Sequence, residues 1–213
     1  MTGQKPFFRA AFFAALWLAS SCAGMWLLLK FQSSPGPAGS PSVYWPKESS
    51  IPRSPERATL IMLAHPQCPC SRSSVGELAW IMSRTKNKVE AYVLFFKPEG
   101  FPDNWEKTDL WNEASSIPGV RVLSDKGGTE MKRFGAETSG ETLVYDAGGR
   151  LVFTGGITKG RGHSGDNGGR NAVVALLNGE SRGLKETPIF GCSLLNPNSI
   201  RNKGWRPWKI GKI

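Results

Sequence analysis

Two cysteines separated by a single proline, Cys68-Pro69-Cys70, carry the most specific chemistry in this chain of 213 residues. A thiolate is both the nucleophile of disulfide exchange and a ligand for soft metals, and either use needs a site that favours the anion over the thiol. An unperturbed thiol is only about 3% ionised at neutral pH, so a downward shift of about two units makes the anion the majority form. Pro69 suits the first position of a helix, because its ring presets φ and it lacks the N–H that would go unpaired there. Cys68 then becomes the helix N-cap and Cys70 the second helical residue, with both sulfurs at the positive end of the helix dipole. A direct Cys68–Cys70 bridge across one residue is strained and easily reduced.

Three further residues bear on that pair. Cys192 lies in Thr187-Pro188-Ile189-Phe190-Gly191-Cys192, beyond the last expected helix. It can pair with Cys68 or Cys70, or it can be an unpaired, buried thiol. His163 lies in a glycine-rich loop, residues 155–169, which holds seven glycines around Arg161, His163 and Asp166. It either reaches the sulfurs as a proton relay and thiolate stabiliser, or bonds only its own backbone. His65 precedes the cysteines at a strand end and reads first as a spacer. A second use of these groups is a soft-metal site for Cu(I) or Zn(II), built from His65, Cys68, Cys70 and His163, although no repeated Cys-x-x-Cys pair accompanies it. The run Gly160-Arg161-Gly162-His163-Ser164-Gly165 has the form of a dinucleotide fingerprint but comes at the end of the sheet, with Lys185 where an acidic ribose ligand belongs. No cofactor is expected.

These residues must be held by regular elements. Ala58 to Leu63 is a short apolar run that reads as a buried strand ending at His65-Pro66. Val75, Leu78, Ala79 and Met82 recur on one helical face. Val89 to Phe96 is a second strand, and a helix follows Thr108 or Asp109, both competent caps. Val120 to Leu123 is a third strand, and Thr129 to Phe134 a turn or two of helix. Glu141 to Asp146 and Arg150 to Gly156 form a hairpin across Ala147-Gly148-Gly149, and Asn171 to Leu177 is the final helix. The order defines an α/β chain with a mixed sheet flanked by helices.

A strand that ends in a cysteine pair at a helix start, followed by helix, strand, helix and a terminal hairpin with helix, resembles the thioredoxin superfamily over residues 58–178. The wording His65-Pro66-Gln67-Cys68-Pro69-Cys70-Ser71-Arg72-Ser73-Ser74, with Thr138 to Asp146, Gly155 to Asn167 and the late Phe190-Gly191-Cys192, is similar to the bacterial RedB-like group of thioredoxin-like proteins. The resemblance implies that Cys68 and Cys70 are the redox-active positions of a thiol–disulfide oxidoreductase whose partner is a dithiol or disulfide protein. The pattern departs from the superfamily in two places. One residue, not two, separates the cysteines, and Ser139 or Gly140 stands where the superfamily has a proline before the hairpin.

The ends of the chain set its surroundings. Ala10 to Leu29 is twenty residues without a charge, bracketed by Lys5, Arg9 and Lys30. As a helix it spans about 30 Å, the thickness of bilayer hydrocarbon. Residues 1–31 therefore read as an N-terminal membrane anchor, uncleaved because Leu27, Leu28 and Leu29 prolong the apolar core. Its flanking charges put the rest of the chain outside, which with the family resemblance gives a single-pass bacterial inner-membrane protein with its domain in the periplasm. Residues 32–57 are a proline- and serine-rich linker expected to act as a spacer. Residues 179–213 are a basic extension, in which Trp205 and Trp208 sit among five cations as a candidate contact for anionic lipid.

The net charge of +10 does not point to nucleic acid. Residues 58–178 carry 14 basic and 13 acidic side chains, so the excess lies at the two ends, away from the expected domain.

Overall fold

The computed structural model describes residues 4–180 and 183–194. It divides into two compact units, one ending at Ser34 and the other beginning at Pro35. The first is a single helix, α1 (Gln4–Ser33). Its segment Phe8–Ser33 is long and apolar enough to cross a membrane. The expected lipid-contacting tail, Ser199 to Ile213, lies outside the described residues.

The second unit is a six-stranded mixed sheet with helices on both faces. Its elements run β1 (Ala58–Ala64), α2 (Pro69–Arg84), β2 (Val89–Lys97), α3 (Asp109–Ser115), β3 (Val120–Lys126), α4 (Thr129–Phe134), β4 (Glu141–Tyr145), β5 (Leu151–Gly156), α5 (Gly168–Leu177) and β6 (Glu186–Thr187). The strand order is β3-β2-β1-β4-β5-β6. β1 lies in the middle, parallel to β2 (Ala58 opposite Val89) and antiparallel to β4 (Thr59 opposite Tyr145). A strand paired on both edges and covered on both faces has to be apolar throughout, which is why its sequence is an unbroken hydrophobic run.

Side chains of β1 alternate between two cores. Leu60 and Met62 join Val75, Leu78 and Ile81 of α2, Val93 and Phe95 of β2, and Val173 of α5. Ile61 and Leu63 face the other way, onto Met131 and Phe134 of α4 and Leu143 and Tyr145 of β4. The chain thus has the thioredoxin-like α/β arrangement expected from its sequence. The last helix begins three residues before Asn171, because the Asn167 side chain accepts a hydrogen bond from the Arg170 N–H and caps it.

The proline- and serine-rich stretch departs from the expected spacer. From Pro35 onward it belongs to the same compact unit as the sheet. Two of its large side chains pack onto the second core: Trp45 stands edge-on to Phe134 and Tyr145, with ring centroids 5.1 and 5.2 Å away, and Ile51 is buried there. The backbone is tied down as well, since Trp45 N–H donates to Gly149 and Leu151 N–H to Val43. Composition alone misses this, because two well-placed apolar side chains and a short β-bridge suffice to dock a segment poor in hydrophobics.

Candidate active site: three thiols at a helix start

β1 ends at Ala64, and the chain turns through His65-Pro66-Gln67 into α2. Cys68 is the N-cap, extended at φ −90° and ψ 118°, with Pro69 opening the helix. The turn is braced on both sides. Cys68 N–H donates to the His65 carbonyl, and the Thr108 hydroxyl at the start of α3 donates to the Pro66 carbonyl at 3.0 Å. His65 is half-buried, with Trp105 edge-on at 5.8 Å and Phe96 tilted at 6.4 Å. Its Nδ1 accepts from the Gln67 N–H, and burial pushes its pKa below the usual histidine value, partly offset by Cys68. A ring accepting at Nδ1 is tied to the backbone of the turn.

The third thiol arrives from the far end of the chain. Residues 191–194 lie along residues 137–139: Ser139 N–H donates to the Cys192 carbonyl at 2.9 Å, Leu194 N–H to the Glu137 carbonyl at 2.8 Å, and Thr138 bridges Ser193 antiparallel. This pairing sets the Cys192 sulfur 3.6 Å from that of Cys68. Gly191 permits the approach, since a Cβ there would fall 1.7 Å from the Ser139 carbonyl oxygen. Ser139 is the hub. Its hydroxyl accepts from the His65 N–H at 2.8 Å and shares a 2.5 Å hydrogen bond with the Ser71 hydroxyl of α2. Sequence reasoning marked this position only as the place of a missing proline.

Among Cys68, Cys70 and Cys192, the anion is favoured at one sulfur. Hydrogen bonds from Cys192 and then Cys70 hold the Cys68 thiol far below the ordinary thiol range, against the effect of burial, and the backbone amides of Ser71 and Cys70 add to the shift. Cys70 is pushed strongly upward by its bonds to Cys192 and Cys68 and then by burial. Cys192 is raised, chiefly by its bond to Cys68, while Cys70 and Arg161 pull it back down. The arrangement therefore favours the anion at Cys68 over the two thiols beside it. One of these lies at disulfide-forming range after a modest closure of the sulfur–sulfur gap.

The glycine-rich loop contributes a different residue from the one singled out by chemistry. His163 is exposed, and its backbone N–H donates to the Gly160 carbonyl. Arg161 reaches the site instead, donating to the Gly191 carbonyl and placing a guanidinium nitrogen 3.9 Å from the Cys192 sulfur. The loop is pinned to α2 through Glu77, which accepts from the Gly165 N–H and pairs with Arg170 of α5 at 2.9 Å. Among the described residues no group of three or more His, Cys, Asp and Glu is placed to hold a metal ion. The set His65, Cys68, Cys70 and His163 is accordingly not assembled as one ligand cluster.

Fold and site together define a thioredoxin-like domain with three thiols gathered at the start of one helix. No protein-family profile matches the sequence, and no curated protein does. Among solved structures, the chain is similar to an uncharacterized conserved protein from Geobacillus kaustophilus, with 20% identity over 82% of this chain and 94% of that one and a TM-score of 0.55. It is also similar to a hypothetical protein from Sinorhizobium meliloti 1021, with 19% identity over 76% and 96% of the two chains and a TM-score of 0.52. A secreted disulfide oxidoreductase from Mycobacterium tuberculosis aligns over 58% of this chain and 81% of its own, at 10% identity and a TM-score of 0.43. At such identities the likeness is one of fold.

Proposed function

We propose that this chain is a membrane-anchored, extracytoplasmic thiol–disulfide oxidoreductase of the RedB-like kind, working through Cys68, Cys70 and Cys192. The observation that carries the reading is the 3.6 Å separation of the Cys68 and Cys192 sulfurs at the start of α2. Two cysteines so placed pass two electrons to a partner disulfide, which is reduced to two thiols as they become a disulfide themselves. Cys70, in the first turn of the same helix, is the third thiol available to resolve a stalled intermediate. The partner is a dithiol or disulfide protein. α1 holds the domain at the bacterial inner membrane on its periplasmic side, and the basic extension with Trp205 and Trp208 rests on anionic headgroups. His163 contributes at most to the surroundings of the site, since Arg161 occupies the place beside the sulfur.

The test is a disulfide map by peptide mass spectrometry of the full chain after acid quench, with and without mild oxidant. A Cys68–Cys192 bond that forms and is reduced reversibly supports the reading. If all three cysteines stay free under oxidant and the chain reduces no disulfide substrate, the reading fails.

A further inference from the structure

The sulfur that meets solvent is not at the helix start. Cys192 is exposed, whereas Cys68 and Cys70 are only 6% and 8% exposed. The segment that brings Cys192 is held firmly. Leu194 is 4% exposed in the second core, Gly191 lies against the Ser139 carbonyl, and Arg161 grips the Gly191 carbonyl. Its backbone also fills the hydrogen-bonding groups of residues 137 and 139 beside the thiols, so an incoming extended chain finds that edge taken.

We infer that partners exchange sulfur at Cys192, and that Cys68 serves as an internal thiolate that no partner touches. The inference deepens the oxidoreductase reading and rests on it. It also narrows the protein partner: its thiol or disulfide protrudes far enough to reach Cys192, and is not on a peptide strand laid along residues 137–139.

To reduce a partner disulfide R–S–S–R, Cys192 attacks one sulfur as its thiolate. A Cys192–S–S–R bond forms, the partner bond breaks, and R–S⁻ leaves and takes up the proton that Cys192 gave up. The Cys68 thiolate then attacks the Cys192 sulfur, forming the Cys68–Cys192 bond and releasing the second R–S⁻. The partner gains two electrons and the chain loses two. In the reverse direction an external thiolate attacks the exposed Cys192 sulfur, and Cys68 departs as the anion its surroundings favour, as a good leaving group should.

The experiment treats the reduced full chain, in detergent, with glutathione disulfide as a small probe and locates adducts by peptide mass. Cys68→Ser and Cys68→Ala, each combined with Cys70→Ser, should both accumulate a stable glutathione adduct on Cys192, because no resolving thiol is left beside it. Cys192→Ser should release glutathione at least tenfold more slowly than the unmodified chain. An adduct that builds on Cys68 in Cys192→Ser at the rate of the unmodified chain, with Cys192 unlabelled in both Cys68 variants, overturns the inference while leaving the oxidoreductase reading intact. Failure of that broader reading is distinct: the unmodified chain would form no disulfide among the three cysteines with the probe.

Discussion

The Arg161 guanidinium lies 3.9 Å from the Cys192 sulfur while it also donates to the Gly191 carbonyl one residue earlier. One side chain therefore both places the exposed thiol and lowers the cost of ionising it. Arg161→Gln should slow alkylation of Cys192 several-fold near neutral pH and move the midpoint of its rate-against-pH curve upward. Arg161→Lys should recover part of the loss, since a point charge replaces the planar fork. A purely structural role would change the rate at all pH values alike, and mass-resolved alkylation of Cys192 separates the two outcomes.

Cys68 is the group whose anion is favoured, mainly by hydrogen bonds from Cys192 and Cys70. The reduced chain should retain one thiolate, seen by ultraviolet absorbance, at pH values below the ordinary thiol range, where an unperturbed thiol is protonated. Cys68→Ser should abolish that absorbance. Cys192→Ser should shift its titration to higher pH only if the serine hydroxyl is a poorer donor to the anion than the thiol it replaces.

A buried carboxyl supports the loop on which Cys192 rests. Glu141 is fully buried, one oxygen accepts from the Glu137 and Thr138 N–H groups, and the other has no partner. Burial pushes its pKa up from 4.5 to about 7. Between these values the folded chain keeps a proton that the unfolded chain has released, so stability falls as pH rises through this window, by about 3 kcal/mol in all. Thermal unfolding followed from about pH 5 to about pH 8 should show this slope. Glu141→Gln, which keeps an acceptor for the two N–H groups, should flatten it and unfold at the higher temperature at the alkaline end.

Glu77 and Arg170 couple the cysteine-bearing helix to the glycine-rich loop. Their side chains are 4% and 10% exposed and 2.9 Å apart, and the Arg170 guanidinium also stacks over Trp80 at 4.0 Å. Arg170→Met leaves the Glu77 carboxylate buried without its partner, at a cost of about 3–5 kcal/mol. For a domain of this size that lowers the melting temperature by roughly 10 °C. The double variant Glu77→Gln, Arg170→Met should recover much of the loss. A melting temperature unchanged by Arg170→Met would mean that the pair contributes nothing.

Five of the six strands, the cap at Cys68 and the proline that opens α2 were legible in the sequence because each depends on local features: an apolar run, a hydrophobic period, a ring-locked φ; the two-residue β6 offers none of these. The site's third thiol was open in the sequence, and the docking of residues 35–57 was hidden. Cys192 reaches Cys68 through backbone hydrogen bonds between residues 137–139 and 192–194, and backbone pairing leaves no residue-type signature. Likewise His163 has the chemistry that draws attention, yet Arg161, two residues away in the same loop, faces the sulfur. In a glycine-rich loop the direction of each side chain is set by left-handed turns, such as Gly162 at φ +72°, that the order of residue types does not specify.

Gly191 offers the sharpest separation between fold and chemistry. The chain passes so close to the Ser139 carbonyl that a methyl group at residue 191 would sit 1.7 Å from its oxygen, and the obstacle is backbone, which cannot rotate away. Gly191→Ala must therefore lift residues 191 and 192 off the edge formed by residues 138 and 139, breaking the bond from Ser139 N–H to the Cys192 carbonyl and widening the gap between Cys68 and Cys192. The sheet does not depend on this contact, because β1 keeps both neighbours and Gly140 N–H still pairs with the Leu63 carbonyl at 2.6 Å. Under mild oxidant, Gly191→Ala should form the Cys68–Cys192 disulfide at least tenfold more slowly, with an unchanged far-ultraviolet circular dichroism spectrum. The Cys68 thiolate absorbance should weaken in parallel, because the largest contribution to its stability is the hydrogen bond from Cys192. An alanine variant that oxidises at the rate of the unmodified chain would show that the tail reaches Cys68 by a route other than the pairing of residues 192–194 with residues 137–139.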